Sequence, residues 1–230
     1  MRQPTINRKP NTNYFMQFTI SLTMTIATII LAAGGSTRLG GEPKQLLTKD
    51  GTTLVRHMAE AALSLQTGPV LVVLGANQDR ILSELTDLPV YIPINPDWRE
   101  GLASSLRVGL NRLCDEPVDA FLVVLTDQPY VTAELLQQLI STQQHTGRGI
   151  IACRYGEFGH LGVPALFDIR YRSEFMNLSG DTGARKLIQQ YANDCTEIPF
   201  PLAAIDLDTW QDVDAWRGTQ RIKHIDQDGE

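Results

Sequence analysis

The stretch Ile29–Leu47, IILAAGGSTRLGGEPKQLL, decides how this chain is read. It opens as a short apolar run, the pattern of a buried strand. It then breaks into a loop containing Gly34, Gly35, Gly40 and Gly41. Glycine lets the backbone fold back and leaves amide N–H groups bare. Successive bare N–H groups make a concavity that suits anions, phosphate above all. Arg38 and Lys44 add positive charge in or just beyond that loop. Gly41 and Glu42 follow Gly40, so the P-loop pattern, which puts Lys directly after its last glycine, fails. The fingerprint G-x-G-x-x-G finds no match between Gly34 and Gly41. Glycines alone would equally suit a turn with no ligand. Two cations at a strand end favour the phosphate reading.

Working outward, apolar runs alternate with stretches of helical spacing. Val70–Leu74, Ala120–Leu125 and Gly149–Cys153 predict buried strands, and Pro89–Ile94 a short one. Helices are expected over Thr53–Leu65, from Asn77 as cap through Leu85, over Leu102–Leu113, and after a Thr132 cap. Further on come a strand Val163–Phe167, which Pro164 places at a sheet edge, and a helix Thr182–Tyr191. A strand Ala203–Leu207 and a helix Thr209–Trp216, with Asp212 in a capping box, close the pattern. Such alternation predicts an α/β fold, a mostly parallel sheet with helices on both faces. Ligands in such sheets sit beyond the carboxyl ends of the strands. Gly34, Gly75 and Asp127 should therefore meet in one cleft.

The 230 residues suit one domain. A net charge of −6 argues against general nucleic-acid binding, while leaving room for a local basic pocket. Cys114, Cys153 and Cys195 are scattered, which predicts neither a zinc site nor a disulfide framework and suggests a reducing, cytoplasmic setting. Tyr14–Ala33 resembles a signal peptide superficially, but its threonines and Gln17 suit no membrane segment, and cleavage near Ala33 would destroy the loop. Residues 1–23 are expected to be a disordered extension, 24–218 the domain, and 219–230 a polar tail.

Four further groups carry chemistry. Asp127, in TDQPYVT, emerges at a strand end, where a carboxylate can hold Mg²⁺ or merely cap a turn. Asp206 and Asp208, in IDLDTWQDV, share one side of an extended segment, though Asp208 also suits a helix N-cap. LSGDTGARKLI places Gly180, Asp181, Gly183 and Arg185 where a helix begins. WREGLASSLRVGL sets Ser104 and Ser105 in a first helical turn. The four histidines form no H-x-x-x-H pair, and His160 is left without a role.

LAAGGSTRLGGEPKQLL resembles the nucleotidyltransferase signature L-A-A-G-x-S-x-R-[ML]-G-x(n)-P-K-x-L-L, and the MobA/MocA-like branch above all. TDQPYVT, IDLDTWQDV, LSGDTGAR and WREGLASSL resemble that branch's other motifs, in the same order. Thr126 replaces a usual Ala or Cys, and Trp210 a usual Pro. The resemblance implies a Rossmann-like three-layer sandwich of the nucleotide-diphospho-sugar transferase (GT-A) type. It implies an Mg²⁺-dependent nucleotidyl transfer that releases pyrophosphate. Arg38, Lys44 and Asp127 would be catalytic, and Asp127 and Asp208 would hold the metal. Leu31, Ala32, Ala33, Gly34, Gly35, Ser36, Lys44, Gly75, Ala76 and Ser105 would bind the nucleotide. Gln128, Pro129, Gly180, Asp181, Gly183 and Arg185 would face the acceptor. The guanylyl branch reads L-A-G-G and the cytidylyl branch L-A-A-G, so Leu31–Gly34 implies CTP, with molybdopterin as acceptor and a molybdoenzyme as a possible recipient. Runners-up are a guanylyltransferase, a methylerythritol-phosphate type cytidylyltransferase, and a non-catalytic molybdenum-cofactor carrier. No nucleic-acid or membrane partner is expected.

Overall fold

The computed structural model describes residues 24–156 and 159–227. The expected extension over residues 1–23 and the last three residues of the expected tail lie outside them. In chain order the elements are β1 (Ile26–Leu31), β2 (Thr48–Lys49), β3 (Thr52–Thr53), α1 (Leu54–Ser64), β4 (Val70–Val73), α2 (Gln78–Leu82) and α3 (Leu102–Arg112). There follow β5 (Ala120–Leu125), α4 (Ala133–Thr146), β6 (Ile150–Arg154), β7 (Leu161–Asp168), α5 (Arg172–Met176), α6 (Ala184–Gln190), β8 (Cys195–Pro199) and α7 (Trp210–Gln227).

Six strands form one sheet in the order β4-β1-β5-β7-β6-β8. β1 runs parallel to β4 and β5, and β6 parallel to β8, while β7 is antiparallel to both its neighbours. Every residue of β1 is buried because both faces are covered. Ile26 and Ile30 pack on one face with Met58 of α1 and Leu139 of α4. Ala27 and Ile29 pack on the other with Leu110 of α3, Phe175 of α5 and Leu187 of α6. Burying each large side chain is worth about 1.5–3 kcal/mol, against at most ~1 kcal/mol for an exposed ion pair, so these two layers hold the fold. The expected doubly covered α/β sandwich is the fold observed. Among the described residues, no helix is long and apolar enough to cross a membrane.

Several local expectations need correction. β7 is not an edge strand; it lies between β5 and β6. Its register to β6 shifts between Ala165 and Gly162, so Pro164 falls where the ladder is already interrupted and its missing N–H breaks no pairing. Pro89–Ile94 makes only the isolated bridges Leu71↔Tyr91 and Leu74↔Ile94 beside β4, since Pro89 and Pro93 have no N–H to give. Ala203–Leu207 is no strand, because Pro201 opens a 3₁₀ turn through Ala204. The sixth strand is instead β8, which the single buried side chain of Ile198 barely signals. Asn77 precedes α2 in a left-handed conformation and makes no side-chain cap bond. α7 runs on to Gln227, past the expected end at Trp216.

Candidate active site

The loop after β1 turns on Ser36, Gly40 and Gly41, all at positive φ. Gly40 at φ 69 and Gly41 at φ 87 are conformations that side chains adopt reluctantly. Leu39 pins the loop by burying against Leu54, Leu207 and Trp216. Ser36 Oγ accepts a bond from the Lys44 backbone N–H at 3.0 Å. The side chain of Gln45, buried beneath, donates to the carbonyls of Ala32 and Gly34, each at 3.0 Å. The loop is thereby held open with its inner face toward the cleft. The N–H groups of Gly34, Gly35 and Ser36 find no partner among the described residues.

Opposite that loop, Asp127 follows β5, and Asp208 precedes α7. The Leu207 N–H donates to the Asp127 carbonyl at 3.2 Å and ties the two segments together. Lys44 Nζ donates to Asp127 Oδ2 at 2.5 Å and to Asp208 Oδ1 at 2.8 Å. Arg38 donates to Asp208 Oδ2 at 2.9 Å. The two cations differ in constraint: the Lys44 side chain is 17% exposed and that of Arg38 71%. An exposed pair such as Arg38–Asp208 is worth at most ~1 kcal/mol, so Arg38 is free to swing to another anion. Burial opposes the Lys44 charge, but Asp127 and Asp208 outweigh it and hold the Lys44 pKa above its ordinary value. Asp206 has a solvent-facing side, yet burial of its carboxyl, then Asp127 and Asp208, push its pKa up to about 6. Helix α7 is capped by Thr209, whose N–H and hydroxyl both donate to Asp212 at 2.7 Å. Asp208 is therefore not spent as the cap.

These carboxylates suit a hard divalent cation. Asp127 Oδ1 is buried and has no protein partner among the described residues. No group of three or more potential ligands forms a closed protein cage among those residues. Mg²⁺ typically takes one or two carboxylates and completes its shell with water and phosphate oxygens, which is what Asp127 and Asp208 leave room for.

The carboxyl ends of β1 and β5 meet in one cleft as expected, whereas Gly75, after β4, lies in an adjoining basin. A cleft of about 680 Å³ is lined by Leu31, Ala33, Gly34, Gly35, Lys44, Ser105, Asp127, Asp181 and Asp208. Gly75 and Ala76 line a second basin of about 720 Å³. Ser36 and Arg38 line a mouth of about 270 Å³ that also touches Lys44 and Asp208. A smaller cavity of about 260 Å³ lies beside α6, with Gly183, Arg185 and Asp206 in its wall. Asp181 lines this cavity and the main cleft alike. Ala32, Gln128, Pro129 and Gly180 line none of these four cavities. The Ala32 N–H donates to the Val73 carbonyl at 3.0 Å and its carbonyl accepts from Gln45, while the Gly180 carbonyl accepts from the Ala103 N–H. Gln128 is 1% exposed, and its amide donates to Tyr155 Oη at 2.7 Å and to the Val163 carbonyl at 3.0 Å. It braces the β6–β7 turn and does not line the cleft it was expected to join.

Sequence reasoning missed Gln45, Trp98, Arg99 and Tyr155. Gln45 carried a faint signal, a polar residue among apolar neighbours in PKQLL. Trp98 opened the WREGLASSL motif but was given no role, because a tryptophan just before a helix usually packs in a core, and Arg99 carried no signal.

A family model for the MobA-like NTP transferase domain matches residues 28–195. The chain belongs to that family and is a nucleotidyltransferase. It is 32% identical over 168 residues to the nicotine blue oxidoreductase of Paenarthrobacter nicotinovorans, covering 70% of this chain and 80% of that one. It is 29% identical over 126 residues to the bifunctional protein GlmU of Streptomyces avermitilis, of which it spans only 26%. The crystal structure of Rv0371c from Mycobacterium tuberculosis superposes with a TM-score of 0.72 at 29% identity, covering 84% of this chain and 97% of that one. The same mycobacterial protein has been solved as a complex with manganese.

Proposed function

We propose that this nucleotidyltransferase moves CMP from CTP to the phosphate of molybdopterin, releasing pyrophosphate. The observation that carries the transfer chemistry is the bridging of Asp127 and Asp208 by Lys44 beside the bare amides of Gly34–Ser36. The choice of CTP rests on Ala33, which lines the cleft where the guanylyl branch has glycine. The acceptor side is supported by the cavity at α6, where apolar Leu102, Leu106 and Val123 lie beneath Arg185. Such a wall suits a flat ring carrying an anionic tail.

The loop amides hold the β- and γ-phosphates. Arg38 and Lys44 stabilise charge that builds on the α-phosphoryl group and the departing pyrophosphate. Asp127 and Asp208 would hold Mg²⁺, which would supply charge neutralisation to the phosphates. The acceptor's own phosphate oxygen attacks in line, so no side-chain nucleophile is needed. The cytoplasmic setting and delivery to a molybdoenzyme belong to the same proposal.

The name of the Paenarthrobacter relative raises a second reading, an oxidoreductase. One experiment separates the two. Pyrophosphate release is measured with molybdopterin and each of CTP, GTP, ATP and UTP, alongside NAD(P)H oxidation with nicotine blue as the electron acceptor. Release with CTP alone is expected. Release with GTP would correct the base, and NAD(P)H oxidation without release would remove the transferase reading.

A further inference from the structure

Gly35, Trp98 and Arg99 line both the main cleft and the second basin. Trp98 is the only aromatic side chain lining either cavity among the described residues. Its seat is shaped from two directions. A Cβ on Gly35 would lie 2.7 Å from the indole Cη2, and one on Gly75 would lie 2.8 Å from the Trp98 Cβ. The ring edge thus presses on the phosphate loop, and its stem presses on the turn after β4. The segment carrying it is braced by buried Asn95, which accepts from the Asp97 N–H at 3.0 Å and donates to the Ser104 and Ser105 hydroxyls at 2.8 and 3.0 Å. The indole is therefore preorganised.

One indole face carries the Arg99 guanidinium, 4.3 Å from the ring centroid. Arg99 is exposed, and a cation over an aromatic face is held only weakly in water. A nucleobase is planar and polarizable and competes for that same face. A nucleotide whose phosphates lie on Gly34 and Gly35 must extend along the adjoining wall, which is Trp98.

We propose that the indole of Trp98 is the stacking platform for the nucleobase, with the base displacing Arg99 from the ring face. This rests on the chain taking a nucleoside triphosphate, and not on the choice of CTP or molybdopterin. Stacking tolerates any base, so Trp98 sets affinity while neighbouring groups choose the base.

The test is calorimetric titration of the full chain with CTP, and separately with inorganic tripolyphosphate, each with Mg²⁺. W98L keeps much of the volume without a ring, and W98F keeps a ring. W98L is expected to weaken CTP binding by about tenfold or more while tripolyphosphate stays within about threefold of wild type. W98F is expected to stay within about threefold on both ligands. Unchanged CTP binding by W98L would overturn the proposal. So would an equal loss for tripolyphosphate, which would mean that Trp98 only props the loop at Gly35. A wild-type preference for GTP would overturn the CTP assignment, and W98L would then be judged on GTP.

Discussion

The Lys44 ammonium reaches the Asp127 carboxylate at 2.5 Å across 83 residues of chain. One partner belongs to the loop that presents bare amides, the other to the strand end that offers an unsatisfied carboxylate oxygen. Their contact joins the two halves of the proposed phosphate grip. Replacing Lys44 with Met should lower transfer by about 10²-fold or more, because charge growing on the phosphates loses its nearest fixed cation. It should also destabilise the fold by about 3 kcal/mol, since two carboxylates are left facing each other. Steady-state rates and a denaturant midpoint check the two effects.

Gln45 predicts a subtler loss. Its amide supplies donors to two loop carbonyls from a position only 1% exposed. Gln45→Leu keeps the volume and removes both bonds. The expected cost is about 1–3 kcal/mol of stability. A raised KM for the nucleotide should accompany it, with the acceptor KM unchanged. A thermal melt and paired saturation curves measure this.

Phe175 tests a core position that lines none of the four cavities. Its ring meets Phe121 at 5.3 Å and Phe167 at 4.8 Å, both edge-on. Phe175→Ala should cost about 3–5 kcal/mol. The activity of the fraction that stays folded should match wild type, as read from a melt followed by an active-fraction assay.

Thiol reactivity should sort by burial. Cys114 is exposed, whereas burial pushes the Cys153 thiol up to about 12 and that of Cys195 up to about 11. A raised thiol pKa means less thiolate at any working pH, hence slower alkylation. At pH 8, iodoacetamide should label Cys114 first and leave Cys153 untouched until denaturant is added. Peptide mass mapping over time reads the order.

How much of this was legible beforehand divides along physical lines. β1, β4 and β5 were plain because strands covered on both faces are unbroken apolar runs. The meeting of Gly34 and Asp127 in one cleft followed from that topology, although Gly75 lines the basin beside it. β7 was misplaced because Pro164 argued for an edge, and nothing local announces a register shift that absorbs a proline. β8 was missed because an edge strand needs few apolar residues and shows only Ile198. Asp208 looked like a helix cap until Thr209 and Asp212 were seen to cap one another. The Gln128 amide, next to Asp127, looked like a substrate contact. Its bonds to Tyr155 and Val163 are long-range and leave no trace in the local sequence. Trp98 was hidden for the same reason, since its partners Gly35 and Gly75 lie on two other segments.

The central claim is that bare loop amides, Lys44 and the Asp127–Asp208 pair together grip a triphosphate. The most direct measurement is Mg²⁺-dependent pyrophosphate release from CTP with molybdopterin, comparing wild type with Asp127→Ala. The predicted result is release by wild type and a drop of about 10²-fold or more in the variant, with the variant still folded. Equal release by the two proteins would contradict the account.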